Sequence, residues 1–248
     1  MSTSVANLPA IPNHDLWWNG GSALRSRLFD AISLLLPSGE KFVITAVSDW
    51  LTTSPPTTPS ELQQEVVRFV REEQNHSRAH QLYNNNLSLH APSRALEHRI
   101  EQLVQEMAGW SLPTRLAMAS AFEHLTALLS REVLRAGNAW LCTNQTRQTR
   151  LWQWHCQEEL AHHHVARNVM VAAGVGPLRR GFTLMTAILF LSTDIMAMLW
   201  GLLRADHRAG RVRGRQLLVQ CAEFSVRVLP SMVRMAWGCC KYVVSIKW

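Results

Sequence analysis

The chain has 248 residues, enough for one well-buried core, and combines 47% hydrophobic with only 17% charged side chains, against about 25% charged in an average soluble protein. Part of the surface is therefore expected to be covered by a membrane or a partner rather than by charge. The net charge is +7, but much of the excess (Arg179, Arg180, Arg204, Arg208, Arg211, Arg213, Arg215) sits beside apolar segments, and no zinc-finger or RNA-recognition motif accompanies it. That excludes a nucleic-acid binder and points to a membrane surface.

Residues 1–25 read as an N-terminal arm, polar at its start, with neither the basic start nor the apolar run of a secretory signal. The apolar stretch from Ser26 to Trp50 reads as a helix broken or kinked at Pro37. SPPTTPSE, residues 54–61, is a loop and cap signal, with Ser60 ahead of a helix in which Leu62, Val66, Phe69, Val70 and Ala79 recur at helical spacing; Asn84-Asn85-Asn86 ends it. Residues 93–109 predict another helix, Pro113 to Gly137 a further one, and Leu151 to Gly174 the next. No alternating strand pattern occurs in the first 175 residues, so the fold class is all-α: a helical bundle over 26–177, followed by an apolar, Arg-rich helical region over 178–248. Phe182 to Leu203 is 22 residues long with Asp194 as its single charge, flanked by arginines. It is long enough for a membrane span, but a helix buried across the bundle is the favoured reading. Five cysteines (142, 156, 221, 239 and 240) are odd in number and lack the spacing of a thiolate metal site, so free thiols in a reducing cytoplasm are expected.

Two Glu-x-x-His pairs, Glu73/His76 and Glu159/His162, carry the chemistry. Residues three apart share a helix face, and each pair offers one hard oxygen and one imidazole nitrogen, which suits iron or manganese better than calcium or magnesium. A lone pair of this kind is usually a solvated helix face. Here each is preceded by a lone glutamate in apolar surroundings, Glu40 lying 33 residues before Glu73 and Glu123 lying 36 before Glu159. Two such hairpins supply the four Glu and two His of ferritin-like di-iron and di-manganese carboxylate proteins. Salt bridges to Arg or Lys are the competing account of the buried glutamates. His80 and His155 fall on the same faces as further ligands or as partners that orient the carboxylates; His124, beside Glu123, is offset by about 100° and suits a supporting or packing role. His163 and His164 point away from His162. Glu72 and Glu158 precede their Glu in both halves and are expected in solvent or hydrogen-bonded to a ring nitrogen.

The blocks FDAISLLLPSGEKFV, FVREEQNHSRAHQLYN, AFEHLTALL and WQWHCQEELAHHHVA, in this order, resemble the bacterial family of predicted metal-dependent hydrolases over residues 26–175, with a weaker echo in the apolar segment beyond. The chain departs from that pattern at Arg167, where an acidic residue is expected, and at its C-terminus, CCKYVVSIKW. The resemblance implies metal binding. The ligand pattern itself reads as a di-iron oxidoreductase that activates dioxygen for oxidation of a small, hydrophobic, lipid-like substrate. The alternative is a two-metal hydrolase that activates water for ester, amide or phosphate cleavage. The expected cofactors are two iron ions, with manganese or zinc as alternatives. The expected setting is the cytoplasm or the inner face of the membrane, with membrane contact or a homodimer through 182–203.

Overall fold

A computed structural model of the chain describes residues 16–55 and 57–244. Among them are eight helices and no strand, so the protein is all-α as its periodicity predicts. They are α1 (Ala23–Thr53), α2 (Ser60–Leu87), α3 (Arg94–Ala108), α4 (Leu112–Val133), α5 (Arg147–His162), α6 (His164–Ala172), α7 (Pro177–Arg208) and α8 (Gly214–Val244).

α1 does not break at Pro37. Proline has no N–H to give the carbonyl four residues back, here Ser33, and that loss usually kinks a helix. Asn84 of α2 supplies the missing donor: its Nδ2 donates to the Ser33 carbonyl at 3.0 Å, and the Ser33 hydroxyl donates back to Asn84 Oδ1 at 2.7 Å. The helix continues and carries Glu40 one turn further. The N-terminal arm also differs from expectation. Leu16, Trp18 and Asn19 are buried, with Asn19 Nδ2 donating to the Trp140 carbonyl at 2.9 Å, so 16–19 pack on the core, whereas 1–15 lie outside the described residues. Ser60 begins α2 without capping it, since Pro59 holds the cap position. The helix expected from Leu151 to Gly174 is interrupted at His163, between α5 and α6.

α1, α2, α5 and α4 form a closed ring in which each packs against the next. The buried face of α2 shows how the ring is built. Val66, Phe69, Glu73, His76, His80, Asn84 and Leu87 form one stripe at helical spacing, apolar at both ends and polar in the middle. The whole bundle repeats that order. One apolar cluster holds Phe29, Leu34, Leu36 and Trp152, a second holds Phe42, Phe69, Met118 and Val165, and the Glu and His side chains occupy the layer between them.

At one end of the bundle Arg27 is buried between two carboxylates. Its Nη1 donates to Asp30 at 2.8 Å and its Nε to Asp206 of α7 at 2.7 Å. α3 lies along α1 and meets α7 where Leu96 touches Gly201 and Arg99 pairs with Asp194 at 3.2 Å. α7 and α8 form an antiparallel hairpin on the outside of the ring. They are joined through residues 209–213 and meet again where Arg180 Nη2 donates to the Val243 carbonyl at 2.5 Å. α1 and α7 are both long and apolar enough to cross a membrane, by length and composition. The most apolar window of α1 is 56% buried and that of α7 only 33%, so α1 spends its apolar surface on the core and α7 does not.

Candidate metal centre

Glu40 comes from α1, Glu73 and His76 from α2, Glu123 from α4, and Glu159 and His162 from α5, the four helices of the ring. All six side chains are buried, each exposed by 5% or less. One donor atom each from Glu73, His76, Glu159 and His162 lies within 4.8 Å of the others, and a second such group joins Glu40, His76 and His155. Glu73 Oε1 stands 2.8 Å from His162 Nε2, and His76 Nδ1 stands 3.5 Å from Glu159 Oε1, so each half of the bundle reaches into the other. Glu123 is in neither group. It faces the same cavity as Glu40, Glu73 and Glu159.

The carboxylates are poorly satisfied by the protein. Both oxygens of Glu40, both of Glu73, Oε2 of Glu123, Nδ1 of His76 and Nε2 of His162 are buried without a well-formed hydrogen bond, Glu73 and His162 meeting only as an ion pair at 2.8 Å. A buried polar atom left this way is expensive, and seven in one layer call for a cation. Among the described residues no arginine or lysine lines the cavity beside them, so the salt-bridge account of the buried glutamates has no partner there. Four carboxylates with two to four imidazoles suit a first-row transition ion, and the residues fit iron, manganese or zinc alike.

The protonation pattern follows from the same crowding. Burial, and then the neighbouring Glu73, holds the Glu40 carboxyl well above the usual carboxylate range; burial, and then Glu159, does the same for Glu123. Glu159 goes the other way: burial opposes its charge, but contacts with His162 and His76 hold it well below that range. Burial also opposes charge on His76 and His162, yet Glu159 and Glu73 push them up to about 10 and about 11. Without a metal the layer therefore neutralises itself with protons that metal ions would displace.

The outer contacts cross between the halves. Glu72, which precedes Glu73, accepts from Nδ1 of His162 at 3.0 Å, and Glu158, which precedes Glu159, stands 3.2 Å from Nε2 of His76. Each Glu-Glu-x-x-His segment thus orients the imidazole of the other. Such contacts fix ring orientation and raise ligand basicity. Of the two expectations for Glu72 and Glu158, the ring-nitrogen contact is the one seen.

His155 sits with Glu40 and His76, its Nε2 3.7 Å from Glu159, and burial lowers it to about 4, leaving a neutral ring with a free lone pair. His80 is also held well below its ordinary value by burial, and its Nδ1 is 2.9 Å from the Ser33 hydroxyl, which ties the layer to the Pro37 repair. His124 faces α8 instead: its ring stacks on Tyr242 at 4.5 Å and its Nε2 is 3.3 Å from the Gly238 carbonyl. His163 is half-buried and His164 exposed. Two supporting residues escaped the sequence reading. Thr126, one turn after Glu123, donates to Glu159 Oε2 at 2.9 Å, and Asn84 continues the series Glu73, His76, His80 at the same helical spacing. Both lie on faces that the ligands already define.

Beside the carboxylates is a cavity of about 80 Å³, walled by Leu36, Val43, Leu103, Met107, Phe122 and Phe190 among others, with Asp194 as its remaining ionisable neighbour. Its wall is shared by the ring, α3 and α7.

Neither a curated protein nor a solved structure matches the chain. One family model does, from residue 8 to residue 243, so the likeness takes in most of the arm and both outer helices as well as the ligand blocks. With its four ligand blocks converging on one buried layer, the chain belongs to the family described as predicted metal-dependent hydrolases.

Proposed function

We propose that the chain is a two-metal hydrolase acting on a small apolar ester or amide, with Glu40, Glu73, His76, Glu123, Glu159 and His162 as metal ligands. The observation that carries this reading is the buried layer of unsatisfied carboxylate and imidazole atoms opening onto an otherwise apolar cavity. The family description agrees with it. Six protein donors on one ion would close its coordination shell; shared between two ions they leave positions open for substrate. Bound there, two divalent ions supply Lewis acidity toward a carbonyl oxygen and a water of lowered pKa.

The chain's own residues do the rest. Glu72 and Glu158 hold the His162 and His76 rings, Thr126 fixes one oxygen of Glu159, and the two apolar clusters keep bulk water from the layer. Among the described residues no arginine or lysine lines the cavity, so only the ions would meet a phosphate's charge, and apolar esters or amides suit its walls better than phosphate esters. A second reading, an oxidoreductase that couples dioxygen reduction to oxidation of an apolar substrate, is favoured by the four-Glu, two-His donor set, which is that of di-iron carboxylate proteins.

The test loads the purified protein separately with zinc, manganese and ferrous iron. Oxygen-independent turnover of short-chain aryl esters supports the hydrolase; oxygen uptake by the ferrous form, with an oxidised product, supports the second reading. About two metal ions per chain are expected by elemental analysis, falling to a small fraction in Glu73→Ala and Glu159→Ala. Full occupancy in both variants would overturn the site.

A further inference from the structure

We infer that the outer side of the α7–α8 hairpin is a docking surface for an anionic lipid bilayer, on which the protein lies without spanning it. α7 has two faces. Leu184, Ala187, Asp194, Met198 and Leu202 are buried against the ring. Phe182, Met185, Leu189, Met196 and Trp200 point outward, each at least 59% exposed, at the three-, four- and seven-residue steps of a single helical stripe. The stripe runs eighteen residues without an exposed charge, about 27 Å at the helical rise. α8 adds Val226, Leu229, Val233 and Trp237, and only Val228, Ser231, Gly238 and Tyr242 of its 31 residues are buried. Apolar surface on this scale marks a contact with something else.

Charge selects the occupant. Among the described residues from 177 onward, the acids are Asp194 and Asp206, both buried, and Glu223. Against that single exposed acid stand the exposed Arg179, Arg204, Arg208, Arg213, Arg215 and Arg227. A second copy meeting this face by two-fold symmetry would set arginines against arginines, whereas anionic headgroups neutralise them. Trp200 and Trp237 carry the amphipathic ring that settles at a membrane–water boundary. Because α7 is buried along its inner side and only its outer side is free, the helix suits lying in the interface rather than crossing it.

The experiment is co-sedimentation of the full chain with vesicles of phosphatidylcholine alone and of phosphatidylcholine mixed with phosphatidylglycerol. Binding to the mixed vesicles is expected, weakened by salt, and lost in Phe182→Glu/Met185→Glu/Leu189→Glu. Arg204→Gln and Arg208→Gln are each expected to lower the partition about fivefold, from roughly 1 kcal/mol per basic residue near an anionic surface. Circular dichroism establishes that the variants fold, and the arginine variants keep the test alive if the triple variant does not. Equal binding to both vesicle types, no binding by the folded chain, or a lipid-free dimer that the triple variant dissociates would overturn the proposal. So would resistance of the membrane-bound chain to alkaline extraction, which marks a spanning protein. The assay reads neither metal nor turnover, so its failure leaves the metal centre standing.

Discussion

Asn84 gives Ser33 the hydrogen bond that residue 37 would give it in a helix without proline. Asn84→Leu should therefore strand the Ser33 carbonyl in the core and cost about 1–3 kcal/mol in thermal or denaturant unfolding. In a Pro37→Ala background the amide returns, and the same substitution should cost less; equal costs in the two backgrounds would show that the contact does not replace the missing bond. At the candidate metal layer the single residues divide by the role proposed for them. Glu73→Ala would remove a proposed metal donor, but Glu72→Ala or Glu158→Ala would remove only the group that orients a ring. Each of the latter should weaken metal binding about 10–100-fold, read by chelator competition, while the fold is retained.

At the scale of elements, α8 is attached to the ring by few buried side chains, and its firmest polar anchor is Glu132 of α4, which accepts from Arg234 Nε at 2.9 Å and from Arg135 Nη2 at 3.1 Å. Arg234, and then Arg135 against the opposing effect of burial, lowers the Glu132 carboxyl from 4.5 to about 2. A depressed folded-state value means that the anchor's contribution is complete above the unfolded value and is lost as pH falls from about 4.5 through about 2. Hydrogen exchange in 214–244 should rise across that window, and in Glu132→Gln that acid step should be absent. α3 is held differently, by apolar packing on α1 and one ion pair of half-exposed character, Arg99 with Asp194. Arg99→Ala should raise exchange over 94–108 by less than about fivefold, since exposed pairs are worth about 0–1 kcal/mol. Much of this architecture is legible in the sequence. Helical spacing locates the helices that carry the candidate ligands, and the doubled Glu-x-x-His pattern locates the layer. What local reading could not supply was long-range repair. Nothing within a few residues of Pro37 announces that Asn84 will reach it, and nothing near Glu132 announces Arg234, so local reading expects α1 to break or kink and names no anchor for α8.

At the scale of the whole molecule, the buried ion pair of Arg27 with Asp206 joins the first helix to the end of the seventh. Arg27→Ala would leave the buried Asp30 without its cation and Asp206 with Arg211 alone, and should cost about 3–5 kcal/mol, measured by denaturant unfolding. Both ends of the pair are needed before either is content, and they are made at different times. Asp206 follows Arg27 by 179 residues, which take about 10–35 s to translate at common bacterial rates. Throughout that interval the Arg27 guanidinium has Asp30 of its own helix but not Asp206 and, until α5 is complete, Glu40 faces an unfinished layer. A stalled nascent chain ending before residue 206 should therefore be cut readily by protease within α1, and one extended past α7 should be protected. The order of synthesis thus makes the seventh helix the latch of the first, and leaves the newborn chain dependent on whatever shelters it for most of the time it is being made.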